Sequence, residues 1–152
     1  MYDPPPSGET TPKLGLPYLY PAQAQKEFTV NEALALLDAT IFPVVEGTRN
    51  DPPAAAVTGE AWLVGSNPTG LWEGMSAHIA TWQGDRWLLV RPATGSLVYD
   101  RSLGQRRMFD ITWSAAATVA DPDGGTTIDT EARTAIVAIL QALRAIGVVP
   151  PE

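Results

Sequence analysis

The chain has 152 residues, of which 45% are hydrophobic and 18% are charged. This composition fits one globular domain that buries about 70% of the surface of its unfolded chain. The net charge of −7 argues against binding to the phosphate backbone of nucleic acids, because proteins that bind it concentrate Lys and Arg. Since the chain has no cysteine, disulfides, thiolate metal sites and cysteine nucleophiles are excluded.

A proline-rich tail over residues 1–12 precedes a single α+β domain predicted over residues 13–152. Tyr2 is the one large aromatic side chain of the tail. The tail lacks the basic and apolar regions of a signal peptide, and no apolar run approaches the ~18 residues that a membrane span requires. We therefore expect a protein that is made in the cytoplasm and does not insert into membranes.

Residues 11–38 are expected to change from an extended arm into a helix. Pro12, Pro17 and Pro21 restrict their own backbone and favour extended conformations in the residues before them. Residues 13–20 are therefore predicted to form an extended or polyproline-like strap. Its large apolar side chains must be buried against their own domain or against a neighbouring subunit, and both alternatives stay open. With Tyr2, they form the predicted assembly interface: Leu14, Leu16, Tyr18, Leu19 and Tyr20.

A short amphipathic helix is predicted to follow the strap, so that strap and helix together occupy residues 13–43. Between residues 30 and 42, apolar side chains recur at spacings of three, four and one, as in a helix with one buried face. Thr29 or Asn31 can cap its first turn, and Pro43 ends it. Residues 47–57 are predicted to form a loop. The apolar positions of the helix are Leu34, Leu37, Ile41 and Phe42.

The β-rich body is predicted over residues 60–120, where the apolar period changes towards two. Residues typical of turns separate the alternating segments, which indicates a small antiparallel meander of about five strands. The alternating positions are Trp62 and Val64; His78, Ala80 and Trp82; Trp87, Leu89 and Arg91; Leu97 and Tyr99; and Met108, Asp110 and Thr112.

A C-terminal amphipathic helix is predicted over residues 129–147. Asp129 or Thr130 can cap its N-terminus, and Gly147 lies where a C-terminal cap belongs. Its apolar stripe consists of Ile136, Ile139, Leu140, Leu143 and Ile146, with Val137 beside it.

Candidate catalytic and metal-binding patterns are incomplete. His78 is the one histidine, and no suitably spaced partner accompanies it, so a packed or surface histidine is expected. The acidic stretch from Asp121 to Asp129 lacks the further oxygen ligands of a calcium loop. Glu73, Asp100 and Asp110 could form a glycosidase pair only if folding placed two of them together. We therefore predict no catalytic residues, no metal and no cofactor.

The five tryptophans leave two interpretations open, namely a hydrophobic core and an aromatic platform for sugars. Alternation places Trp62, Trp82 and Trp87 in the core, whereas Trp72 lies in a loop-like stretch and is predicted to be exposed. Trp72 is therefore the candidate contact for a cell-surface polysaccharide. The basic cluster of Arg101, Arg106 and Arg107 is interpreted as an interface or a solvated edge.

Several motifs resemble an alphaproteobacterial domain family of nominally unknown function, found in prophages and gene-transfer-agent clusters. They are P-K-L-G-L-P-Y-L from Pro12, P-A-Q-A-Q-K-E from Pro21, N-E-A-L-A-L-L-D from Asn31, G-E-A-W-L-V from Gly59, T-G-L-W-E-G from Thr69, I-A-T-W from Ile79 and G-D-R-W from Gly84. The similarity extends over roughly residues 11–113. Members of that family are associated with head spikes and fibres of tailed phage-like particles.

The resemblance implies a structural part of such a particle, and it supplies no catalytic residues. The expected role is a spike or fibre base that links the capsid to a receptor-binding fibre, on particles released by lysis. The expected partners are capsid or other particle proteins, a fibre protein and further copies of the chain, with a pentamer favoured over a trimer. A glycan-binding module for attachment to cells is the alternative.

Overall fold

The computed structural model describes residues 10–19, 26–125 and 129–151, with residues 26–29 described by their backbone alone. Within these residues the chain forms two α-helices and eight strands. The predicted α+β class is confirmed. The elements are α1 (Lys26–Thr40), β1 (Val44–Val45), β2 (Thr48–Arg49), β3 (Ala61–Val64), β4 (Ile79–Trp82), β5 (Trp87–Val90), β6 (Leu97–Asp100), β7 (Gln105–Phe109), β8 (Trp113–Ala115) and α2 (Thr130–Ala145), with a 3-10 turn at Gly70–Trp72.

The described strands form two four-stranded sheets, in the orders β2-β3-β4-β5 and β1-β6-β7-β8. This differs from the predicted meander of about five strands. Strands β1 and β2 are two residues long, too short to show an alternating pattern, and each joins its sheet in parallel. Such parallel pairs require a long crossover connection, so short-range turn signals cannot predict them.

The contacts divide the chain into two compact units. The first consists of Met1–Pro43 and Thr48–Pro92. In this unit α1 packs against β5, and Trp82 lies opposite Trp87 in the β4–β5 register. Its core contains the buried side chains of Val64, Trp72 and Ala80, with Trp62, Trp87 and Leu89 packed against them.

The second unit consists of Val44–Gly47 and Ala93–Glu152. It contains the β1-β6-β7-β8 sheet and α2, with Val45, Val98, Leu140 and Val149 buried. The single domain predicted over residues 13–152 stays a prediction.

The predicted caps of α1 are wrong. The helix already begins at Lys26, so Thr29 and Asn31 lie within it. The side chain of Asn31 bonds to the backbone of Leu19 and does not serve a helix terminus. Past the last turn, Phe42 has a φ of 47°, a left-handed conformation that reverses the chain before Pro43 and is uncommon for a bulky residue.

The predicted C-terminal helix and its caps are confirmed. Asp129 accepts a hydrogen bond from the Ala132 backbone at 2.8 Å, which satisfies one of the free N–H groups of the first turn. At the other end, Gly147 has a φ of 68°. The N–H groups of Gly147 and Val148 donate to the carbonyls of Arg144 and Leu143, at 3.0 and 2.9 Å, which is the Schellman arrangement.

Candidate interaction surfaces

Residues 10–17 form a closed loop in the first unit. Thr10 pairs with Pro17 in an isolated antiparallel bridge, and the Thr11 N–H donates to the Leu16 carbonyl at 2.9 Å. Gly15, with a φ of 62°, supplies the left-handed turn that the reversal needs. The predicted extended strap is therefore wrong for this stretch, because proline restricts single residues but does not prevent a turn between them. We call residues 10–19 the N-terminal loop.

The carboxylate of Asp38, on α1, is the central contact of the N-terminal loop. It accepts hydrogen bonds from the Thr11 hydroxyl at 2.9 Å, the Lys13 N–H at 3.0 Å and the Leu14 N–H at 2.5 Å. The Asp38 side chain is 0% exposed, so these donors replace the water that a carboxylate otherwise requires. Hydrogen bonds to an ionised acceptor are about twice as strong as those between neutral groups.

A second contact holds the other end of the N-terminal loop. The Leu19 N–H donates to Asn31 Oδ1 at 2.7 Å, and Asn31 Nδ2 donates to the Leu19 carbonyl at 3.1 Å. Asn31 and Asp38 are seven residues apart and so lie on the same face of α1, two turns from each other. The loop is therefore docked along its own helix, in cis, mainly through backbone groups.

This docking leaves the apolar side chains of the N-terminal loop incompletely buried. Leu14 is 43% exposed, and Leu16, Tyr18 and Leu19 are half-buried. Tyr2 and Tyr20, also assigned to the assembly interface, lie outside the described residues. A role of these side chains in binding a neighbouring subunit stays a prediction.

Two titratable groups of the loop respond to their surroundings. Burial lowers the pKa of the Lys13 ammonium, and the nearby Asp38 carboxylate opposes that shift. Burial also raises the pKa of the Tyr18 hydroxyl, with a further contribution from the negative charge of Asp38. Both shifts follow from partial exclusion of water around the docked loop.

Apolar side chains in and just after α1 form a partly exposed surface, which includes three positions of the predicted buried face, Leu37, Ile41 and Phe42. Phe42, just beyond the helix, is 88% exposed. We call this the outer face of α1. It consists of Val30, Leu36, Leu37, Ile41 and Phe42.

The apolar stripe predicted on α2 divides in two. Leu140 is buried, and Val137 and Leu143 are half-buried, whereas Ile136, Ile139 and Ile146 stay exposed. The inward side also carries Arg144, which bonds Asp121 at 3.2 Å and the Val119 carbonyl at 3.1 Å.

The prediction that Trp72 is exposed is wrong. Its side chain is 0% exposed, and its ring meets that of Trp87 edge to face, with centroids 5.0 Å apart. The 3-10 turn turns the indole inward, because a large ring in a small unit without disulfides is most stable in the core. Because the ring is buried, Trp72 cannot be the predicted contact for a polysaccharide. Trp62, Trp82 and Trp87 are only half-buried, the reverse of the predicted order.

The polar candidates are engaged in local contacts. His78 is half-buried, with Nδ1 3.0 Å from the Ser76 carbonyl oxygen. Asp100 is buried and accepts hydrogen bonds from Ser102 Oγ at 2.6 Å and Arg107 Nη1 at 3.2 Å. Within residues 10–19, 26–125 and 129–151, no three His, Cys, Asp or Glu side chains come together as ligands for a metal ion.

In the basic cluster, Arg101 forms an ion pair with Glu46 at 2.8 Å, and Arg107 pairs with Asp100. Arg101 and Arg107 thus each have an acidic partner within their own unit. The Arg107–Asp100 pair joins β7 to β6, whereas Arg101 and Glu46 each directly follow a strand, β6 and β1.

Residues 30–114, more than half of the chain, match the model of a family described as "Protein of unknown function (DUF2793)". This range contains most of α1 and every described strand up to the first residues of β8. No curated protein and no solved structure matches the chain. None of the described helices has the length and apolar character needed to cross a membrane.

Proposed function

The chain belongs to the DUF2793 family of proteins of unknown function, and we propose that it is a structural component of a phage-like particle of the gene-transfer-agent type. In this proposal it forms the base of a spike or fibre and joins the capsid to a receptor-binding fibre. The protein is made in the bacterial cytoplasm and reaches the particle surface before lysis releases the particles.

The observation that carries the proposal is the outer face of α1. Five large apolar side chains in and just after one short helix are at least a third exposed, and Phe42 projects 88% of its surface into solvent. A monomer that works alone gains nothing from such a surface and risks aggregation, whereas an assembly subunit buries it against a neighbour. The kind of assembly is inferred from the resemblance of the sequence to proteins associated with head spikes and fibres.

The backbone of Phe42 adds a second argument. A φ of 47° is unfavourable for a bulky residue by about 1 kcal/mol or more, and the ring of Phe42 recovers none of this by burial in its own chain. Strain of this kind is retained where it orients a side chain for a task. Here it presents an aromatic ring, one of the side chains that contribute most to protein interfaces.

The mechanism is therefore geometric. The outer face of α1 binds a neighbouring particle protein. Closed rotational symmetry then determines the number of copies. A base at a fivefold capsid vertex would be a pentamer.

Phe42→Asn tests the proposal without unfolding the protein. Asn adopts left-handed φ values more readily than Phe, so the variant removes the exposed ring and should retain full stability. We expect a folded protein that is largely missing from purified particles when it replaces the native chain in producing cells. Glu32→Asn, an exposed change on the same helix, is the matched control and should be incorporated normally.

Immunogold imaging of particles that carry the tagged native chain completes the test. Label on the head or at a fibre base is expected. Purified particles free of the tagged chain, or particles carrying normal amounts of the Phe42→Asn protein, would contradict the proposal.

A further inference from the structure

We draw no further inference here: the strongest candidate, the row of half-buried indole rings of Trp62, Trp82 and Trp87 on one face of the β2-β3-β4-β5 sheet, carries nothing because nothing in the structure shows what covers it.

Discussion

The hydroxyl of Thr11 donates to the carboxylate of Asp38 at 2.9 Å, and both side chains are buried although 27 residues separate them. Asp38 also accepts hydrogen bonds from the Lys13 and Leu14 N–H groups. One acidic side chain of α1 thereby organises the segment that precedes the helix. The first unit depends on this contact for the conformation of its N-terminal loop.

Asp38→Ala should lower the free energy of unfolding by about 2 to 4 kcal/mol, because it leaves a hydroxyl and two backbone N–H groups without their acceptor. Urea unfolding measures the loss. Glu32→Ala removes an exposed carboxylate from the same helix and should change stability by less than about 0.5 kcal/mol.

The same variant should release the N-terminal loop. Trypsin cleaves after Lys13, next to the Leu14 N–H that Asp38 binds, so Asp38→Ala should be cut there much faster than the native chain. Equal cleavage rates would show that Asp38 does not hold the loop.

Trp72→Ala should destabilise the first unit by about 3 to 5 kcal/mol, as expected when a buried aromatic ring is deleted. Trp72→Phe should reduce stability clearly less, because it keeps an aromatic ring beside Trp87. It also loses no hydrogen bond, since the indole N–H has no partner in the described structure. Thermal or urea unfolding of the two variants measures the difference. Leu71→Ala is the control, because its side chain is exposed; a loss as large as that of Trp72→Ala would contradict the buried position of Trp72.

Gly147→Ala should lower stability by about 1 to 2 kcal/mol. A methyl group at this position would strain the left-handed backbone and would lie 3.1 Å from the Tyr99 ring. A double-mutant cycle separates the two causes. In the Tyr99→Ala background, the stability loss caused by contact with the ring should vanish, and the loss caused by backbone strain should persist. If Gly147→Ala were as destabilising there as in the native chain, contact with Tyr99 would be excluded as a cause.

Lys13→Met should change the pH dependence of stability at alkaline pH. Because burial lowers the pKa of Lys13 in the folded state, the unfolded chain binds more protons between that lowered pKa and the ordinary value of 10.5. The Lys13 contribution therefore destabilises at neutral pH and is relieved as the pH rises through that window. Tyr18 acts in the opposite direction above 10.0 and is present in both proteins.

Unfolding free energies of the native chain and Lys13→Met, measured at several pH values up to about 11, isolate the effect of Lys13 as a difference. Lys13→Met should be more stable near neutral pH by about 1 kcal/mol, because it removes an ammonium group whose Nζ is buried without a hydrogen-bond partner in the described structure. The advantage should disappear as the pH rises. A difference that stays constant with pH would contradict the lowered pKa.

Local signals predicted the parts of the fold that local interactions determine. Asp129 and Gly147 mark the ends of α2 because each satisfies backbone groups within its own helix. The apolar period identified that helix and most of the longer strands for the same reason.

Partners distant in sequence determined what local signals missed. From the sequence, Asn31 was predicted to cap α1, but in the structure its side chain bonds to the backbone of Leu19. The turn at Gly15 could not be predicted, because it depends on hydrogen bonds to the distant Asp38. Trp72 follows a glycine and a leucine in a loop-like stretch, and only the packing of Trp87 explains why it is buried. The parallel pairs of β1 and β2 likewise depend on strands that come later in the chain.

The α+β class, both helices and the alternating strands could be predicted from the sequence. That the N-terminal loop docks on its own helix and that Trp72 belongs to the core follows from contacts between distant residues. The same contacts decide which apolar side chains stay exposed, among them those of the outer face of α1. Composition and period report how much apolar area must leave water, whereas which area does so depends on contacts between residues far apart in the chain.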